Sequence, residues 1–409
     1  MPVSPFDKRR QAAAPVCALL ILSAGAIPMA GPGSLLWAGP GILAAAMLIA
    51  WAAESAQFFM AQGFALAILA WLQTLPEFAV EAVLAWKQDV PLLMANLTGA
   101  LRLLTGLGWP MIYFTAAAFR RKRTGHALAP VRLKQEHSVE VIGLAVAMAY
   151  MVVVWAKGSL GLVDAAVLIA AYAAYLVMLT GMPPEGAETI ADLERIPRAI
   201  VCAPRALRIG AIAGLFLAGG ALIYFMAEPF LAGLLAVSAS LGVPNFVFVQ
   251  WVAPVVSEFP EKVSAFYWAR TVERASTALM NMVSSNINQW TLLAAMLPIT
   301  YSLSRGTAST IPLDGMQETE LALTLAQGLL GLLFLMEMKL EWWEAAGLFV
   351  LWAVQFGFSA AGTAVHLYVT VIYLAWAAVE LGRMAARRRA PAAVALFRVM
   401  WIKRARRVR

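Results

Sequence analysis

The chain is poor in charge, in cysteine and in histidine. Only 13% of its 409 residues are Asp, Glu, Lys or Arg, against about a quarter in an ordinary soluble domain. The two cysteines, Cys17 and Cys202, stand in no CxxC or Cys/His spacing. That speaks against a disulfide framework and a structural zinc site. Of the histidines His126, His137 and His366, only His366 lies in an apolar run. A lone histidine there is expected to be packed and hydrogen-bonded rather than a ligand. There is no HExxH, no GxSxG and no pair of catalytic aspartates. The polar loops are too short for a soluble catalytic domain, so neither an enzyme nor a cofactor is expected.

What the chain has instead is apolar length. Hydrophobic residues make up 62% of it, and runs of roughly 20 recur, enough to cross a ~30 Å hydrocarbon core as helices. The expectation is an all-α polytopic membrane protein. Spans are predicted at 13–31, 36–60, 63–87, 91–119, 138–156 and 161–181. After a polar interval they resume at 207–241, 245–269, 276–303, 319–338, 343–358 and 363–384. The net charge of +8 does not argue for nucleic acid, because the basic residues cluster between apolar runs and at the ends. With "KRR" (8–10) in the cytoplasm, twelve spans put the clusters at 120–134, 194–208 and 387–409 inside as well. The outside loop 304–318 holds one basic residue, Arg305. Both termini are therefore expected in the cytoplasm. The run 13–31 also has the pattern of a signal peptide, and its removal would leave the other spans oriented alike. The tail alternates apolar and basic residues, as an interfacial helix on anionic lipid does.

The apolar segments contain an internal repeat. "TLPEF" (74–78) and "SEFPEKVS" (257–264) each carry Pro-Glu, at Pro76-Glu77 and Pro260-Glu261. An asparagine follows each, Asn96 after 20 residues and Asn281 after 21. On the predicted topology the two copies cross in opposite directions. Such inverted repeats recur in secondary transporters, with the binding site near the midplane where they meet. Each proline removes a backbone donor and clashes with the turn before it. It is thus expected to free a carbonyl at membrane depth, tolerable only inside protein or beside a watered cavity. A cation supplies what such a carbonyl lacks.

These paired stretches resemble the two alpha repeats of the calcium/cation antiporter superfamily, the sodium/calcium and calcium/proton exchangers, in a divergent, bacterial-type form. The resemblance implies two inverted repeats of about five helices each, with one or two helices extra. It divides the chain into an N-terminal segment with an extra helix (1–35), a first repeat (36–181), a linker (182–206), a second repeat (207–384) and a basic tail (385–409). It implies a bacterial inner (plasma) membrane location, and calcium with sodium or protons as the transported ions. The family's motif glutamates fall on Glu77 and Glu261, and Thr74 and Ser257 fall in the polar stretch before Pro-Glu. In the second repeat Asn281, Ser284, Ser285, Asn286 and Asn288 match. In the first, Asn96, Thr98 and Gly99 match, but Ala100-Leu101 stand where the family has Ser-Asn, followed by Arg102.

Calcium takes six to eight oxygen ligands, which Glu77, Glu261, Asn96, Asn281 and the freed carbonyls would largely supply. Glu81 shares a helical face with Glu77, and Glu258 lies three residues before Glu261. Close carboxylates in a low dielectric resist ionising together, so such a site can hold a proton or a metal. Arg102 and Lys262 facing the same cavity would reduce four negative charges to two, enough for one divalent cation or two protons. That favours proton over multi-sodium coupling. Arg102 is expected to pair with Glu81 or Glu77 when the site is empty. The degraded first repeat motivates an alternative, a non-transporting sensor or scaffold derived from the exchanger fold. Glu54, Glu228, Glu337, Glu341, Glu344 and Glu380 are expected to be interfacial.

Overall fold

The structure, a computed structural model, describes residues 31–59, 74–127, 129–180, 193, 195–359, 363–387 and 389–407. Residues 13–30 of the predicted span 13–31 and residues 63–73 of the span 63–87 lie outside the described residues. The described chain is helical, as its composition requires. The first repeat holds α1 (Leu35–Ala56), α2 (Leu75–Trp86), α3 (Val90–Leu103), α4 (Trp109–Thr124), α5 (Ser138–Ala156) and α6 (Leu162–Thr180). A short α7 (Arg195–Val201) leads into α8 (Arg205–Leu241), α9 (Asn245–Ser257), α10 (Phe259–Arg270), α11 (Ala275–Asn288) and α12 (Ala294–Arg305). Then come α13 (Gly315–Leu335), α14 (Trp342–Gly357), α15 (Thr363–Ala386) and the tail helix α16 (Ala392–Arg407). Seven helices among the described residues are long and apolar enough to cross a membrane.

The inversion of the two halves is visible in four two-residue strands: β1 (Val131–Arg132), β2 (Ser159–Leu160), β3 (Ile311–Pro312) and β4 (Lys339–Leu340). β1 pairs antiparallel with β4, and β2 with β3. A step of 180 residues carries β1 onto β3 (131 to 311) and β2 onto β4 (159 to 339). The pair at one end of the bundle thereby maps onto the pair at the other, as a pseudo-twofold axis in the membrane plane requires. The cap chemistry repeats with the same step. Asp164 accepts the Gly161 amide at 2.7 Å, and Glu344 accepts the Glu341 amide at 2.7 Å. At the β1–β4 end of this frame α16 docks through its Ala393 amide on the Met336 carbonyl, 2.9 Å away.

Small residues let the long helices approach, as membrane packing demands. A Cβ on Gly219 of α8 would lie 3.1 Å from the Ala45 carbonyl oxygen of α1. The tightest approach joins α3 to α9. Pro254 inside α9 leaves the Gln250 carbonyl without its helical donor, and this oxygen faces Gly99. A Cβ on Gly99 would sit 1.9 Å from it. Since neither backbone can yield cheaply, Gly99→Ala is expected to cost about 1–3 kcal/mol, read as a lowered Tm of the purified protein in detergent. An unchanged Tm would mean that α3 and α9 are free to separate.

The Pro-Glu prolines do not sit where the sequence reading put them. Pro76 and Pro260 lie in the first turns of α2 and α10, where a missing N–H costs nothing. They start half-helices rather than kink continuous ones. The predicted span 245–269 is two pieces, α9 and α10, with Glu258 at the joint (φ −93°, ψ 4°). The span 276–303 runs on through a π-helical turn at Gln289–Leu293, and α3 continues into α4 through the matching turn Leu104–Gly108. The two turns are 185 residues apart (104 to 289), as are Asn96 and Asn281.

Candidate functional site

The half-helices bring four carboxylates together in the interior. Glu77 lies in the first turn of α2 and Glu261 in that of α10, where unpaired amides and the helix dipole favour negative charge. Glu81 follows one turn further along α2, and Glu258 is the joint between α9 and α10. None of the four is more than 2% exposed. Glu77 lies within electrostatic reach of Glu81, Glu258 and Glu261.

The link between the repeats is Gln289, which sequence reasoning missed. Its Nε2 donates to Glu77 Oε2 and to Glu258 Oε1, at 2.8 Å each. A signal was present: Gln289 lies four residues after Ser285, on the same helical face. Its exact aim depends on the π turn, whose extra residue per turn re-registers side chains. The equivalent of Gln289 in the first repeat, 185 residues earlier, is Leu104. In the same register Gly99, Ala100 and Leu101 stand opposite Ser284, Ser285 and Asn286. The polar lining is therefore one-sided, although the carboxylates come from both halves.

Most of the expected residues collect around this bridge. Asn96 Nδ2 donates to Glu81 Oε1 at 3.2 Å. Lys262 is paired with Glu258 one turn before it. Ser285 faces the Glu261 carboxyl group, and Asn288 donates to Thr74. Ser257 is buried, with its hydroxyl on the Ala253 carbonyl at 3.1 Å. Two residues make no hydrogen bond to these carboxylates. Asn286 reaches across to the Leu101 carbonyl (3.5 Å) and the Thr105 hydroxyl (3.4 Å) of the first repeat. Asn281 has a buried Nδ2 without a partner. Glu77 Oε1 and Glu81 Oε2 are likewise buried without a hydrogen-bond partner, and such oxygens call for a cation or a proton.

Arg102 corrects an expectation. It pairs with neither Glu81 nor Glu77 but with Glu320 of α13, at 2.6 Å. Both are essentially inaccessible, at 0% and 1%. Gln250 Nε2 also donates to Glu320, at 2.7 Å, and His366 Nδ1 of α15 touches its other oxygen. Gln327 Nε2 donates to the Arg102 carbonyl at 2.9 Å, and the guanidinium lies 5.3 Å from the Trp251 ring centre. His366 is thus packed against a charged partner. Glu320 gave no signal in the sequence: one carboxylate near a span end reads as interfacial. Arg102 and Glu320 neutralise each other apart from the four carboxylates, which keep only Lys262.

A family model described as sodium/calcium exchanger protein matches residues 31–181 and 211–361. No curated protein sequence matches significantly. The crystal structure of the H+/Ca2+ exchanger CAX superposes with a TM-score of 0.87 at 32% identity, over 97% of this chain and 98% of that one. Native YfkE gives a TM-score of 0.57 at 14% identity, over 89% of this chain and 98% of that one. The sodium-calcium exchanger NCX_Mj gives 0.52 at 16% identity, over 80% of this chain and 97% of that one. The last two share the fold.

Proposed function

The chain belongs to the sodium/calcium exchanger family, and on that premise we propose that it exchanges calcium, or a similar hard cation, for protons at the four buried carboxylates. It is a multi-pass membrane protein and a secondary active cation antiporter. Protons are favoured by the 32% identity with a structure described as an H+/Ca2+ exchanger, and above all by the charge of the site.

Four carboxylates and the Lys262 ammonium leave three negative charges when all are ionised. A buried site must stay close to neutral. With the Glu258–Lys262 pair balanced, Glu77, Glu81 and Glu261 reach neutrality with three protons. They reach it equally with one divalent cation and one proton. Passing between these states moves two protons against one calcium ion without changing the buried charge. Several sodium ions would need oxygen ligands that Gly99, Ala100, Leu101 and Leu104 do not offer.

Glu77 and Glu261 are the principal ligands in this reading. Glu81 and Glu258 are the flanking carboxylates, held by Asn96 and Lys262. Thr74, Ser257 and Ser285 supply hydroxyl oxygens, and Asn96, Asn281 and Asn286 amide oxygens. Among the described residues no three acidic, histidine or cysteine side chains already form a closed metal cage. The arriving cation has to draw carboxylates together and displace the Gln289 amide from between them. Inverted half-helices rocking about this point give alternating access. The basic clusters favour an inner-membrane orientation with both termini cytoplasmic.

The test is calcium-45 uptake into proteoliposomes, first under an imposed proton gradient and then under a sodium gradient. Uptake is expected with protons alone. Sodium-driven uptake would overturn the charge argument. No uptake under either gradient, for calcium or other divalent cations, would favour the scaffold alternative.

A further inference from the structure

A second feature lies on the outside of the bundle, away from the carboxylates. A groove of about 640 Å³ runs between α4, α10 and α14. Its walls are apolar, formed chiefly by Leu107, Met111, Phe114, Phe119, Phe266 and Phe349. Phe114 and Phe266 are among the exposed large hydrophobic residues. From Leu107 to Phe119 the groove follows α4 for about 18 Å at the helical rise, close to the ~15 Å depth of one membrane leaflet. Its deep end is the π turn. Its other end is basic: α4 finishes in Arg120, Arg121, Lys122 and Arg123, and α10 finishes in Arg270.

Arg270 caps that end. Its guanidinium lies 5.0 Å from the Phe119 ring centre and 5.9 Å from that of Phe266, both groove residues. Arg123 Nη1 donates to the Thr271 carbonyl at 3.3 Å, tying the two helix ends together. Arg120 Nε is buried without a hydrogen-bond partner. Neither Arg120 nor Arg270 has a carboxylate partner among the described residues. The nearest acid along the chain after Arg270, Glu273, is exposed. An apolar slot one leaflet deep that ends in unpaired guanidinium groups is complementary to a lipid with a negative head, since arginine pairs well with phosphate oxygens.

We propose that this groove binds one anionic phospholipid of the leaflet on the basic side. Its acyl chain lies along α4, and its phosphate sits between Arg120 and Arg270. The site is separate from the basic tail, whose attraction to anionic lipid needs no groove.

The experiment is native mass spectrometry of the full-length protein in detergent, offered equal amounts of phosphatidylglycerol and phosphatidylcholine with the same chains. The wild type should retain one phosphatidylglycerol with at least a roughly fivefold preference, the size expected for a basic residue beside an anionic head. Arg120→Gln with Arg270→Gln should erase the preference with the tail intact. Thr115→Trp, which fills the groove, should lower retention of both lipids. If the double variant does not fold, Arg270→Gln alone carries the test. Equal retention of both lipids by the wild type overturns the proposal. So does a preference unchanged in the arginine variants, which would assign the lipid to the tail. A dimer that Thr115→Trp dissociates would make a second copy of the chain the occupant instead.

Discussion

Glu77→Gln and Glu261→Gln are each expected to reduce calcium exchange by about 100-fold or more, at or beyond the upper end of the roughly 10–100-fold lost when only an outer-shell partner of a metal ligand is removed. Glutamine keeps the volume and can still meet a neighbouring amide, so the fold should persist. What it loses is the charge that binds the cation and the proton that leaves when the cation arrives. Without Glu77 the α2 half-helix presents only Glu81; without Glu261 the α10 half-helix presents only Glu258, already held by Lys262. The measurement is proton-driven calcium-45 flux in proteoliposomes, with monodispersity and Tm as controls for folding. Normal flux in both variants would remove these residues from the transport site. Loss of calcium-dependent thermal stabilisation alongside loss of flux would separate failed binding from failed movement.

Arg102→Met is expected to destabilise the protein by about 3–5 kcal/mol, because it leaves the Glu320 carboxylate buried without its counter-charge. Glu320→Gln should do the same from the other side. Arg102→Met with Glu320→Leu removes both charges and should recover much of the loss, since well-packed apolar residues often replace a buried ion pair at little cost. The check is thermal unfolding of the three variants in one detergent. Singles no worse than the double would mean that the pair is not isolated in the interior. Flux adds a second reading. Arg102 turns toward Glu320 and not toward the four carboxylates, so the folded double variant should keep its choice between protons and sodium. A double variant that accepts sodium would place Arg102 functionally in the transport site.

Much of the architecture was legible because its signals are local. Apolar length marked the spans, and the basic clusters divided the loops into two sets. Pro76-Glu77 and Pro260-Glu261 repeated with an asparagine at matched distance, and opposite crossing directions made the repeat inverted. The role of the prolines was half legible. Proline announces a break, but whether it kinks a helix or begins one depends on the backbone before it. The chain chose the latter, because a first-turn position needs no N–H.

The sites divide in the same way. Glu77, Glu81, Glu258 and Glu261 were readable because a carboxylate in an apolar run is costly and needs a reason. Gln289 was not, because a neutral amide carries no such penalty and its aim depends on the π turn. Arg102 was visible as an anomaly, yet its partner lies 218 residues away on α13, a distance no local pattern spans. The sequence by itself determined a membrane-embedded, inverted-repeat cation transporter with paired Pro-Glu motifs. Only the tertiary structure decided which charges share a cavity. Spacing along one helix fixes the face a side chain occupies, but which helix that face meets is set by packing across the whole bundle. That packing sent Arg102 to Glu320 and left the carboxylates with Lys262 and a glutamine bridge.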